Sequence, residues 1–420
     1  MDLLQESYTA TLIQEIELLI EQERSLSPIS PIPLRSIYFG GGTPSLAHVS
    51  SIQRILESLL HGNSIFSLQD NVEITMEMDP GTFDLKQMKD LYAMGVNRIS
   101  LGAQSFSDKV LQQIGRQHTV KDIYNSLRII QTVNENNPQK PLHYSIDLIS
   151  GLPGVTLADW AETLHTAVNK LDPTPFHISI YDLQVEKGTV FGKWYDEKDD
   201  DGMAATRKTS VEDGGCHPPL PSDEDAAFQY QYTAGYLRAK GFEHYEVSSY
   251  AKLAKKKDGN LSDISPWRSQ HNQVYWGYDT SWFAVGLGAT SFVRRQIECR
   301  PRALADYQSW VQERSNARHK QLPHQTINKD PEERMNLLMD VVLKRLRTSQ
   351  GLNLSWVEEK FSTTCVEAIL RGAQLGLELG LAHHDKANQS LRLHDSKGLL
   401  FSNSIISSIF LELESLEDMA

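Results

Sequence analysis

Three consecutive glycines, Gly40, Gly41 and Gly42, followed by Thr43 and Pro44, close a short apolar run, Ile37-Tyr38-Phe39. Glycines at such a point leave backbone N–H groups unshielded, so an anionic or amino-acid headgroup can approach closely, although the same triplet also serves as a plain tight turn. Two carboxylates follow on alternating patterns: Glu77 after Ile74 and Met76, and Asp147 after Ile146. Each taken singly also reads as a cap for the next helix. Together with Gln104 and Arg116 they make a polar set that can grip an amino-acid carboxylate by charge-assisted hydrogen bonds and a ribose by carboxylate–hydroxyl bonds. A second constellation, His271-Asn272-Gln273-Val274-Tyr275-Trp276, joins an imidazole to aromatic rings. A neutral imidazole is a common axial ligand of haem iron and flat aromatics can cover a porphyrin, while a lone histidine also reads as a structural residue.

Thiolate chemistry is poorly served. Cys216, Cys299 and Cys365 lie far apart and form neither a disulfide framework nor a metal-ligand run, which fits a reducing compartment. The formal charge of −13 argues against a nucleic-acid partner. Lys255-Lys256-Lys257 is a local basic spot of the kind found on solvated loops. No run of about 18 apolar residues is present that would span a bilayer. The first residues carry no secretory or transit signal, so the sequence reads as cytoplasmic, or organellar (mitochondrial) with a presequence lost.

The elements that must position these residues alternate. Leu12, Ile13, Ile16, Leu19 and Ile20 recur at helical spacing and predict a leading helix over 8–24. A Ser/Pro-rich link over 25–33 precedes the first strand, at 37–39; further strands are predicted near 72–78, 98–101, 143–149 and 177–183, with helices near 49–60, 85–94, 107–132 and 157–171. Strand alternating with helix implies parallel βαβ units. Polar or glycine-rich chemistry at the end of strand after strand is the barrel arrangement, whereas a Rossmann site concentrates on one Gly-x-Gly-x-x-Gly turn, which is absent. The division expected is a barrel over 1–250 with an acidic surface insertion at about 194–225, a connecting region over 251–330 that carries the His271 motif, and a C-terminal domain over 331–420.

Five ordered segments carry a family resemblance: Gly40 to Ser45, Glu73 to Thr82, Gly95 to Phe106, Ser145 to Pro153 and His177 to Leu183. They are similar to the successive motifs of the HemN/HemW group of radical S-adenosylmethionine (SAM) proteins, and the likeness extends to Gly241–Ser249, the His-Asn-x-x-Tyr-Trp motif and the region after 330. The resemblance implies an α/β fold, a partial TIM-like (β/α)6 barrel lacking here its first strand, plus a small C-terminal helical or winged-helix-like domain. It implies that Gly41, Gly42 and Thr43 meet the methionine part of SAM, that Glu77, Gln104, Arg116 and Asp147 contact its other polar groups, and that His271 is a haem-ligand candidate. Thr290 stands where the family's Gly-x-Gly-Ala-His-Ser segment has histidine, which leaves any role of that histidine in doubt.

The family's Cys-x3-Cys-x2-Cys loop, which holds a [4Fe–4S] cluster, has no counterpart in this sequence. The expectation is truncation before that loop, with the edge of the next strand laid open as a consequence. The function implied is that of a haem-binding chaperone with haem or porphyrin and haem-acceptor proteins as partners. The alternatives are oxygen-independent coproporphyrinogen III dehydrogenation and a cluster-free inactive or regulatory variant.

Overall fold

The computed structural model describes residues 2–26, 31–62, 64–195, 217–256, 260–278, 280–316 and 331–417. Cys216, most of the acidic insertion (196–216), Lys257 and the 317–330 part of the connecting region lie outside them.

A leading helix, Asp2–Leu26, is followed by β1 (Ile32–Phe39), β2 (Phe66–Met78), β3 (Arg98–Gln104), β4 (His143–Ser150) and β5 (His177–Asp182), with helices between consecutive strands. These five pair in parallel in chain order, as the alternation predicts. Two more strands, β6 (Phe242–Glu246) and β7 (Ser249–Lys252), extend the sheet to seven in the order β1-β2-β3-β4-β5-β7-β6, β7 running antiparallel to β5. The sequence reading took 241–249 as a family segment without seeing a strand pair, because His244 and Glu246 are polar residues at buried positions. The sheet does not close; β1 and β6 are its edges.

The central strands are apolar on the face that helices cover, and on the other face they carry Arg98, Ser100, Ser145, Asp147, His177 and Ser179. Ile99, Leu101, Ile146, Leu148 and Ile178 are all fully buried. The covering helices present matching stripes, such as Ile123, Leu127 and Ile130 on Val120–Asn136. That helix and Leu157–Asn169 each open on a reciprocal Thr/Asp capping box, Thr119 with Asp122 and Thr156 with Asp159. The predicted 107–132 helix is in fact two, Asp108–Gln113 and Val120–Asn136, broken at Gly115, whose φ of 74° no helix accommodates. Within the predicted acidic insertion, Asp223 and Asp225 form the first turn of helix Asp223–Ala239, capped by Ser222.

The hairpin β8 (Thr290–Val293) and β9 (Gln296–Cys299) belongs to the connecting region. It is tied to the leading helix by Glu15, which accepts from Arg300 Nε at 2.8 Å and from the Gly286 N–H at 2.9 Å. The C-terminal part has its own core around Leu338, Val342, Ile369 and Leu391, with a small sheet β10 (Leu352–Asn353), β11 (Ala382–Asp385) and β12 (Ser390–Leu393) among helices. His244 Nδ1 meets Asp395 at 2.7 Å, and the Arg238 guanidinium pairs with the same carboxylate, joining the C-terminal part to the barrel.

Candidate functional site

The parallel register brings the predicted residues to one end of the sheet. Glu77 lies beside Ser100 across β2 and β3, Ser100 beside Ser145 across β3 and β4, and Asp147 beside Ser179 across β4 and β5. Carboxyl ends of adjacent parallel strands face the same way, so residues far apart in sequence share one mouth. Tyr38, Gly42, Thr43, Glu77, Asp79, Ser100, Gln104, Arg116, Asp147 and Tyr181 line a single open cavity of about 420 Å³ there. Six of the seven residues expected to meet SAM are among its walls. Gly41, the seventh, stands behind Glu77 and donates its backbone N–H to Glu77 Oε2 at 2.9 Å.

Glycine is required in this loop for two different reasons. Gly41 and Gly42 have φ of 81° and 62°, with open space where a side chain would stand. Gly40 is constrained by contact: a Cβ there would sit 2.5 Å from the Tyr38 ring and 3.0 Å from Glu77. Gly102 makes room in the same way for the Gln104 amide and the Asp79 carboxylate. Gln104 itself has φ of 64°, an unfavourable region for a side-chain-bearing residue that is found where surrounding structure over-determines the backbone.

Glu77 and Asp147 cap no helix; Asp84, Ser107, Thr119 and Thr156 do that work. Glu77 instead accepts the Tyr38 phenol at 2.7 Å. Asp147 accepts from Ser100 at 2.6 Å and from Ser145 at 3.2 Å. Burial pushes its carboxyl above the usual carboxylate range, against the opposing pull of the Ser100, Ser179 and Ser145 hydroxyls. Arg116 is the guanidinium on the cavity wall and lies 3.8 Å from Asp79, whose other oxygen meets Thr43 Oγ1 at 3.3 Å.

The His271 motif forms the short helix Gln270–Tyr275. The His271 imidazole lies flat on Tyr38, ring centroids 3.9 Å and planes 13° apart, and its Nε2 is 3.2 Å from the Tyr275 hydroxyl. Burial lowers His271 to a pKa of about 4, so the ring is neutral at physiological pH. Tyr275 packs on Trp282, and Trp282 on Phe292. It is Trp282, rather than the Trp276 singled out from sequence, that continues the aromatic row. Trp276 ends the helix, its carbonyl accepting from Arg345 at 2.9 Å.

Beneath this helix Glu73, at the polar start of the buried half of β2, accepts the backbone N–H groups of Gln270 and His271, each at 3.1 Å. Ser269 Oγ lies 3.3 Å from it and Arg98 3.6 Å. Tyr38, Glu73, Asp79 and Tyr181 were given no role from sequence. The available signals were adjacency to the glycine loop for Tyr38, and for Glu73 its place on the same strand alternation as Thr75 and Glu77.

The two described cysteines do not fit a [4Fe–4S] cluster. Cys299 is exposed on β9, and Cys365 is packed in the separate C-terminal core. Among the described residues no group of three His, Cys, Asp or Glu side chains is placed to hold a metal ion. Thr290 is exposed on β8, its hydroxyl 3.5 Å from Cys299 Sγ.

Comparison with known proteins agrees with this geometry. Residues 13–167 match the radical SAM superfamily. The chain is 31% identical to the haem chaperone HemW of Synechocystis sp. over 395 residues, covering 91% of this chain and 84% of that protein. It is 30% identical to the mitochondrial radical S-adenosyl methionine domain-containing protein 1 of Danio rerio, covering 97% and 81%. Among solved structures, the Escherichia coli radical SAM enzyme coproporphyrinogen III oxidase (HemN) superposes with a TM-score of 0.67 over 96% of this chain and 83% of that one, at 21% identity, a likeness of fold. In sequence and in fold, the chain belongs to the HemN/HemW group of the radical SAM superfamily and is a HemW-like protein.

Proposed function

We propose that this protein binds haem through His271 and hands it to acceptor proteins, and that the neighbouring cavity takes SAM. The observation that carries the reading is the contact between the two constellations: the imidazole offered to haem iron rests on Tyr38, a wall of the cavity. His271 is neutral, half-buried and flanked by an aromatic row, which suits an axial ligand beside a flat macrocycle.

For SAM, the fit is one of donors and acceptors. Gly41, Gly42 and Thr43 supply an uncluttered backbone edge. Arg116 suits a carboxylate, Glu77 an ammonium group, and Asp147 and Gln104 hydroxyls or ring nitrogens, all at the cavity's wall. SAM is the group that, reductively cleaved at an iron–sulfur cluster, supplies a radical in this superfamily. Among the described residues Cys299 and Cys365 form no such cluster site, so binding rather than dehydrogenation of coproporphyrinogen is the reading favoured.

Titration with haemin tests it. A saturable, equimolar Soret change is expected, weakened at least several-fold in His271→Ala; no saturable change in the wild type would overturn the proposal.

A further inference from the structure

Tyr38 touches both constellations. Its ring covers one face of His271, and its hydroxyl donates to Glu77 Oε1 at 2.7 Å, while Glu77 Oε2 is held by the Gly41 N–H at 2.9 Å. Burial raises the Tyr38 pKa, with the Glu77 charge adding to the effect, so the hydroxyl stays protonated and remains a donor. The ring can occupy this place only because residue 40 is glycine. His271 is thus restrained twice, by Tyr38 on its face and by the Tyr275 hydroxyl at Nε2, the atom that an iron would need.

Glu77 is at the same time a wall of the cavity. Its two oxygens each accept one hydrogen bond, from the phenol and from a backbone N–H, and a cationic ligand that pairs with the same carboxylate draws on its charge and weakens the bond to the phenol. A phenol released from Glu77 loses the bond that fixes its ring, and the restraint on the imidazole loosens with it.

We infer that Tyr38 is a positioning residue that couples the two sites: occupation of the cavity by SAM frees His271 and strengthens haem binding. The inference rests on the proposed function above. Coupling of this kind must be reciprocal, so haem strengthens SAM binding by the same factor. A ligand acts on such an equilibrium only through a difference in affinity between its two states, and here that difference is the Tyr38–Glu77 bond, made in one state and replaced in the other.

The test uses the full chain in calorimetric and Soret titrations: haemin with and without saturating SAM, and SAM with and without haemin. For the wild type, each ligand is expected to tighten the other by about fivefold or more. Tyr38→Phe keeps the stacked ring and removes the bond to Glu77. The coupling should vanish in that variant, and its haem affinity without SAM should rise toward the SAM-saturated value of the wild type. A merely structural tyrosine would leave the coupling intact. No detectable SAM binding by the wild type, equal haem affinity with and without SAM, or full coupling retained in Tyr38→Phe each overturns the inference. The underlying reading fails separately, if His271→Ala takes up haem as the wild type does.

Discussion

The carboxylate of Glu73 accepts the backbone N–H of His271 at 3.1 Å, across almost two hundred residues of chain. Because it also takes the Gln270 N–H, it holds the start of the motif helix on the floor of the barrel, while Arg98 balances its charge. Both side chains of that ion pair are buried.

Removing one partner of a buried pair leaves the other charged and unpaired. Glu73→Ala should therefore lower stability by about 3–5 kcal/mol, and Glu73→Gln by less, since the amide oxygen still accepts an N–H. Urea unfolding measures this. A loss below about 1 kcal/mol for the alanine variant would show that Arg98 and the helix find other partners.

Asp147 should make the proposed SAM binding pH-dependent. Its carboxyl is raised by burial, so it protonates at higher pH than an ordinary aspartate and ceases to be a full acceptor sooner. Calorimetric affinity for SAM should decline on acidification at a higher pH than an ordinary aspartate would give, and Asp147→Asn should bind more weakly with that decline flattened. Equal affinity and an unchanged profile in Asp147→Asn would remove Asp147 from the site.

Three buried histidines set the acid limit of stability. Burial holds His177 well below its ordinary pKa, and brings His244 and His271 down to about 4, from 6.5. The unfolded chain then binds more protons than the folded one between those values. Stability is fully present above about 6.5 and is lost as pH falls toward about 4. Melting temperature against pH should slope downward through this window, less steeply in His271→Gln. A slope unchanged in His271→Gln would mean that this ring is protonated in the folded protein.

Anaerobic reconstitution of this chain with iron and sulfide should yield no stoichiometric [4Fe–4S] cluster. Cys299 lies on the exposed hairpin strand β9 and Cys365 in the C-terminal core, so the two thiols belong to different parts of the fold. Electron paramagnetic resonance after reduction, with assay of 5′-deoxyadenosine, reports the outcome. A full cluster and SAM cleavage would contradict the ligand count.

Much of the barrel was legible because β1 to β5 each contain apolar residues, largely in alternation, between amphipathic helices, and because polar groups recur at strand ends. Local pattern carries that information. It does not carry the pairing of polar residues that meet only in the folded chain. His244 and Glu246 hid β6 because the partner that satisfies His244, Asp395, is about 150 residues away. Gly115 marked a break that the surrounding helical spacing concealed. The site followed the same division: Glu77, Gln104 and Asp147 stood out at strand ends and Arg116 through the family resemblance, whereas Tyr38 and Glu73 meet His271 only in the folded chain.

The most direct test of the central claim is ligand rescue at position 271. His271→Gly removes the imidazole from the face of Tyr38 and leaves a space of its shape. Haemin added to this variant should give a weakened, altered Soret band, and free imidazole should restore the wild-type spectrum in a saturable manner. A variant whose haem spectrum and affinity match the wild type without imidazole would show that His271 is not the haem ligand.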